Sequence, residues 1–315
     1  MNRQRVVAVA VFAVLVVLPW VVGAYTISTA SRILIFGLLA ISVNLLTGLT
    51  GLPVLGQAAY FGVGAYTAAI VATTWTAVGP VQLALAIVAS VLAAAVTGVV
   101  AVRARGITFI MITLAIGEIG FTAAGRLDWL TGGTDGYSGV PPVVPVPGMD
   151  GLRLDGLIYY YVLAFFLLFY ALVAVLVRSP FGLTLQGIRD NEARLRAVGY
   201  GTTRYALAAY CIAGGLAGAA GSLWTSMHRF VSPGDIGFQV SALALLAVII
   251  GGLGSMWGSV LGAALVVLTR DYIGGMTPGH GTLLLGVMFI LAVYLLPRGI
   301  AGIRRVRARA REAAA

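Results

Sequence analysis

RSPFGLTLQGIRDNEARLRAVGYGTTRY, residues 178–205, is a polar stretch in a chain that is otherwise oily. It separates two apolar runs, Leu157–Val177 and Tyr205–Trp224, each matching the roughly 20 residues that a helix needs to cross a bilayer core. Ser179 is placed to cap a helix, Pro180 suits its first turn, and Gly199 suits its stop. Over Ser179–Gly199, Phe181, Leu185, Ile188 and Leu195 fall on one stripe at 3.6-residue spacing. Glu192 falls on the same stripe, flanked by Arg189, Arg194 and Arg196. Two membrane runs joined by a short interfacial helix make the expected fold all-α and polytopic. Such a helix can lie on lipid with its arginines reaching for headgroups, or dock in a protein groove. A carboxylate within the apolar stripe favours the groove.

The composition points the same way. Hydrophobic residues make up 60% of the 315, mean hydropathy is +1.01, and 10% are charged. This excludes a soluble domain and predicts a single membrane domain over 1–315. All 20 basic residues are arginine, so the lysine of a Walker A phosphate loop is missing. The net charge of +10 is assigned to orienting membrane spans rather than to nucleic acid. Cys211, the single cysteine, rules out a disulfide framework and sits in an apolar run as a packing residue.

Ten candidate spans can be marked. Val6–Tyr25, Ala58–Ala77, Val81–Val102, Ile107–Ala124, Leu157–Val177 and Tyr205–Trp224 approach full length. Ile33–Leu49, Val240–Gly252, Trp257–Tyr272 and Leu283–Leu296 are shorter or broken. The first lacks a convincing cleavage site and is expected to be an uncleaved span. With the N-terminus inside, cytoplasmic segments hold fifteen arginines: 3, 5, 103, 105, 178, 189, 194, 196, 204, 298, 304, 305, 307, 309 and 311. The outer segments hold five: 32, 126, 153, 229 and 270. That asymmetry fits the positive-inside rule and places both termini in the cytoplasm. Trp20, Tyr25, Trp75, Trp129, Tyr159, Trp224 and Tyr272 then fall near the outer ends, as an aromatic belt would.

Two glycine-rich stretches, residues 46–69 and 248–266, predict broken helices, which membrane depth tolerates only against protein or a water-filled cavity. Their similar texture suggests an internal repeat of the kind transporters use. The loop at residues 125–156 is too polar and too proline-rich to span, so it is expected to be irregular and extracytoplasmic.

At this point the residues carry a resemblance. IRDNEARLRAVGY, residues 188–200, resembles the coupling loop of ATP-binding-cassette importer permeases, in the version found in branched-chain amino acid permeases. LGQAAYFGVGAYTA (55–68), TFIMITLAIGEI (108–119), TGGTDGYSGVPP (131–142) and GGLGSMWGSVLGA (251–263) resemble further motifs of that family, in order. The third of these is similar to the M-type subunit rather than its H-type partner. The resemblance implies a pore subunit, not an enzyme, paired with a second related permease in a heterodimer. It also implies two cytoplasmic ATP-binding subunits, which use the ATP, and a periplasmic substrate-binding protein. No cofactor is expected on this chain itself. Residues 179–204 would be the cytoplasmic coupling segment in a bacterial inner membrane. Arg189, Asp190, Asn191, Glu192, Ala193 and Gly199 would form the ATPase contact. Gln57 stands where relatives often carry histidine.

Substrate-path candidates are Asn44, Gln57 and Glu118. Glu118 is the acid placed within a span, and intramembrane charges are costly enough to be functional by default. It can touch a substrate ammonium, pair within the bundle, or sit near the outer interface. Asn44 and Gln57 flank the first break and can either satisfy freed backbone groups or line a polar path. Gly214, Gly218 and Gly221, and Gly258 with Gly262, offer small faces for close helix packing. His228 and His280 lack metal-ligand spacing and are expected at the outer surface. Urea or short amides are the alternative substrates, and an ion-gradient-driven carrier is the alternative mechanism.

Overall fold

A computed structural model describes residues 15–146, 148, 151, 152, 154–273, 286 and 299–301. Among them the chain is helical, with two isolated β-bridges, Val78 to Val144 and Tyr137 to Val231. Helix α1 covers Ala24–Asn44 and runs on into a π-helical end, Leu45–Thr50. Then follow α2 (Gln57–Thr74), α3 (Gly79–Ala101), α4 (Ile107–Arg126) and α5 (Asp155–Arg178). The remainder are α6 (Pro180–Ala197), α7 (Thr202–His228), α8 (Phe238–Gly251) and α9 (Met256–Leu268), the last ending in a π-turn, Thr269–Ile273.

Six stretches among the described residues are long and apolar enough to cross a membrane: Ala24–Thr50, Gly79–Ala101, Ile107–Arg126, Asp155–Arg178, Thr202–His228 and Pro233–Gly251. The first of these corrects a sequence expectation. Ile33–Leu49 is not a short or broken span but part of a continuous one of 27 residues. The helix described at 15–21 stops before Gly23, so Tyr25 opens α1 rather than closing the preceding span. The run Leu283–Leu296, His280, the side chain of Tyr272 and nearly all of the basic tail lie outside the described residues.

Local chemistry sets the ends of the elements. Pro80 sits in the first turn of α3, where its missing N–H costs nothing. Ser255 caps α9 by accepting from the Gly258 N–H at 3.2 Å. The two predicted breaks are real: Gly51 takes φ +75° after α1, and Gly252 and Gly254 take +105° and +78° between α8 and α9.

Helices α1 and α7 form the buried centre. Helices α2 and α3 lie along α7, while α1 packs against α5, α7 and α9. The small faces allow this. A Cβ at Gly64 would run into the Gly218 carbonyl, and one at Gly221 into the Phe61 carbonyl. The Tyr60 hydroxyl lies 2.6 Å from Thr97 Oγ1 and 2.8 Å from the Tyr210 hydroxyl, so one buried hydrogen-bond chain ties α2, α3 and α7. Gly221→Leu should therefore lower the thermal midpoint of the solubilised protein, since overpacking costs about 1–3 kcal/mol or more. Gly125→Ala, whose Cβ meets nothing, is the control; equal stability of the two variants would contradict the close α2–α7 contact.

The outer faces differ in kind. Helix α3 exposes Val88, Leu92, Val96 and Val100, an apolar stripe suited to lipid. Helix α4 exposes Thr108, Met111, Ala115, Glu118 and Thr122 at alternating three- and four-residue steps, a stripe that sets a carboxyl beside the exposed Ile107, Ile119 and Phe121.

Trp20, Trp75 and Trp129 are exposed, as an aromatic belt requires. Tyr159 is not part of one: it is buried, and its hydroxyl donates to the Leu15 carbonyl at 2.8 Å. Trp224 also turns inward, stacking on the exposed His228 with ring centroids 3.9 Å apart. The loop following α4 contains one helical turn, Asp128–Thr131, and a 3₁₀ turn, Gly133–Asp135. Tyr137 in that loop exchanges backbone hydrogen bonds with Val231.

Candidate functional site

The polar segment folds as its ends predict. Ser179 Oγ accepts from the Gly182 N–H at 3.4 Å, Pro180 occupies the first turn, and Gly199 leaves the segment at φ +94°. Its middle differs from the expected single helix. Asn191 adopts φ −162° and ψ 93°, which breaks α6 into two helical pieces. The Asn191 side chain accepts from the Arg194 N–H at 2.9 Å and so caps the second piece. The expected stripe therefore changes phase at Asn191. Leu185 and Ile188 are buried on the first piece, while Glu192 begins a different face.

Glu192 is used within the chain. Arg105, in the turn between α3 and α4, donates from Nε to Oε2 at 2.8 Å and from Nη2 to Oε1 at 2.6 Å. Arg196 Nη2 and the Thr202 hydroxyl donate to the same Oε1 at 2.8 and 2.9 Å. The Arg105 hydrogen bonds, against a smaller opposing effect of burial, hold the Glu192 carboxyl well below its ordinary value, at about 2. The group is thus ionised across the physiological range. Its side chain is 22% exposed, whereas the Asp190 side chain is 70% exposed. Asn191, Ala193, Arg194 and Gly199 are also exposed.

Arg189 faces the other way. Its Nη1 donates to the Gly48 carbonyl at 2.7 Å, in the π-helical end of α1. Its remaining guanidinium nitrogens lie 3.2 Å from Asp190 Oδ1. Beside Gly48, Asn44 Oδ1 accepts from the Gly254 N–H at 2.8 Å. A Cβ at Gly48 would collide with Asn44 Oδ1 and the Gly254 nitrogen. Three pieces of chain that are distant in sequence therefore meet at one point: the π end of α1, the turn between α8 and α9, and α6. The two glycine-rich breaks are one structural locus.

Arg189 thus ties α6 to the π end of α1, and Glu192 ties it to the turn between α3 and α4 and to the start of α7. Both attachments use charge-assisted hydrogen bonds, the strong kind.

The substrate-path candidates separate. Asn44 satisfies a freed backbone amide, one of its two expected roles. Gln57 is buried at the start of α2, and neither Oε1 nor Nε2 has a hydrogen-bond partner among the described residues. Glu118 lies on the exposed stripe of α4. Arg105 and Thr202 were not legible as site residues. The one hint was that an acid on a short interfacial helix needs a cation, and several arginines competed for that role.

Comparison with known proteins places the chain among transport permeases. A family model described as branched-chain amino acid transport system, permease component, matches residues 25–293. The high-affinity branched-chain amino acid transport system permease protein LivM of Salmonella typhimurium (strain LT2) is 29% identical over 328 residues, spanning 95% of this chain and 75% of its own. LivM of Escherichia coli (strain K12) is 28% identical over 343 residues, spanning 99% and 78%. A probable branched-chain amino acid transport permease protein, LivH of Methanocaldococcus jannaschii, is 26% identical over 157 residues, spanning 47% and 49%. No solved structure matches the chain.

Proposed function

The chain belongs to the branched-chain amino acid transport system permease family, and from that premise we propose that it forms one half of the pore of an ATP-driven importer for branched-chain amino acids. It is a multi-pass membrane protein and a transport component, not an enzyme. ATP hydrolysis belongs to separate subunits. The proposed working cycle is alternating access: closure of two ATPase subunits pushes α6, and the bundle rocks about the Gly48 locus. Asp190, Asn191, Ala193 and Gly199 form the exposed ATPase contact. Arg189 and Glu192 anchor the segment behind it.

The observation that carries the coupling role is the double anchorage of α6, one tie to each side of the bundle. A helix lying on lipid has no need of either. The stripe of α4 bearing Glu118 supports the paired-permease reading. A carboxyl side chain facing hydrocarbon is costly, whereas a second permease covers it. The inner membrane, with α6 and both termini on the cytoplasmic side, is the location proposed.

Proteoliposomes carrying both permeases, both ATPases and the binding protein test the function. The expected result is ATP-dependent uptake of labelled leucine, competed by valine and isoleucine and not by urea. Competition by urea alone would replace the substrate class. Uptake that persists without ATP and collapses with the proton gradient would replace the mechanism.

A further inference from the structure

At the end of the bundle opposite α6 lies a cavity of about 150 Å³. It sits between the third and fourth turns of α1, the far end of α7, the start of α8 and the π end of α9. Arg32 is 16 residues from Gly48 along α1, roughly 24 Å at 1.5 Å per residue. The cavity therefore lies toward the end of α1 away from the coupling segment.

Its polar part is an ion pair in poor alignment. Arg32 Nη1 stands 3.2 Å from Asp271 Oδ2, and the two side chains are 27% and 12% exposed. Arg32 Nε is buried without a hydrogen-bond partner among the described residues, and Asp271 Oδ2 has the ion pair but no hydrogen bond. A guanidinium fork is built to take a carboxylate on two nitrogens. Here one prong has no partner and the other meets an acid off-axis. Asp235 and Arg270 also border the space, so two cations balance two anions. The rest of the wall is apolar, with Phe61, Trp224 and Val266 among its members.

We propose that this cavity is an outward-facing binding site for a zwitterionic α-amino acid with an aliphatic side chain. The carboxylate of the ligand takes the Arg32 fork and its ammonium takes Asp271, each ligand charge replacing one half of the existing pair. The side chain lies against the aromatic and aliphatic wall, where removal of apolar surface from water favours it. Charge balance matches a ligand of no net charge. The separated cation and anion favour a zwitterion, whose two charges meet theirs, over an uncharged amide, which offers only neutral hydrogen bonds to each. The site thus gives the permease its own selectivity, beyond that of any delivering protein.

This inference rests on the function proposed above, and the experiment separates the two. In the complete reconstituted importer, wild-type leucine uptake tests the function; variants measured against wild type test the cavity. Arg32→Gln/Asp271→Asn removes both charges together and leaves no unpaired buried ion. Leucine uptake is expected to fall about tenfold or more, the loss of two charge-assisted contacts, while basal ATP hydrolysis and assembly of the complex hold. Val240→Phe fills part of the apolar wall and should raise KM for leucine more than for valine. Wild-type kinetics in the double variant, or an equal change for both substrates in Val240→Phe, would overturn the proposal.

Discussion

Glu192→Arg should abolish uptake while the chain still inserts in the membrane, and adding Arg105→Glu should restore part of the activity. The physical reason is a reversal of sign at a crowded point. In the native chain one carboxylate gathers Arg105, Arg196 and the Thr202 hydroxyl. The substitution sets three guanidinium groups together. At about 4 Å and an effective dielectric near 20, each like-charged pair costs about 4 kcal/mol before the side chains swing into water. The attraction lost adds roughly 1.5–3 kcal/mol for each hydrogen bond to the charged group. Even after relaxation, the second piece of α6 should leave its seat beside α3 and α7. Uptake and co-purification of the ATPase subunits should fall together. The double variant recreates one opposite-charge pair at the same place but leaves Arg196 unmatched, so recovery is partial. Failure of Arg105→Glu to rescue would show that Glu192 acts by touching the ATPase itself rather than by holding the segment.

Arg189→Ala should behave differently. It removes the donor to the Gly48 carbonyl, leaving the Glu192 tie intact. Gly48 lies in the π end of α1, where the carbonyl has few alternative donors. The ATPases should therefore still bind α6 and still hydrolyse ATP, but the push should not reach α1 or the α8–α9 turn. The expected signature is uncoupling: uptake down about tenfold or more, in line with loss of a charge-assisted hydrogen bond of roughly 1.5–3 kcal/mol, with hydrolysis near normal. Parallel measurement of uptake and phosphate release decides it. Equal loss of both would mean that Arg189 belongs to the ATPase contact and not to the linkage behind it.

The contrast between these residues also shows what was readable in advance. Ser179, Pro180 and Gly199 marked the ends of the polar segment correctly because capping is local chemistry within three or four residues. Most span cores were legible because apolar runs of membrane length have few alternatives. The break at Asn191 was not: the apolar spacing of Phe181, Leu185, Ile188 and Leu195 suits a continuous helix. An asparagine that caps the following turn leaves no signature distinct from an ordinary polar surface residue. Arg105 was counted only as an orienting charge, since its partner lies 87 positions away. The meeting of Gly48 with Gly254 is likewise long-range; a single sequence shows two breaks but not that they touch. The cavity around Arg32 and Asp271 was missed for the same reason. Arg32 read as one of the sparse outer arginines, and Asp271 drew no notice near the end of a candidate span.

The coupling mechanism depends on α6 being on the side where ATP is hydrolysed. The direct test is to place one reporter thiol on its exposed face, Asp190→Cys in a Cys211→Ala background, and treat sealed vesicles with a membrane-impermeant thiol reagent. Inside-out vesicles should label fully and right-side-out vesicles only after permeabilisation. Labelling of intact right-side-out vesicles would put the segment on the face that no ATPase can reach, and would contradict the account.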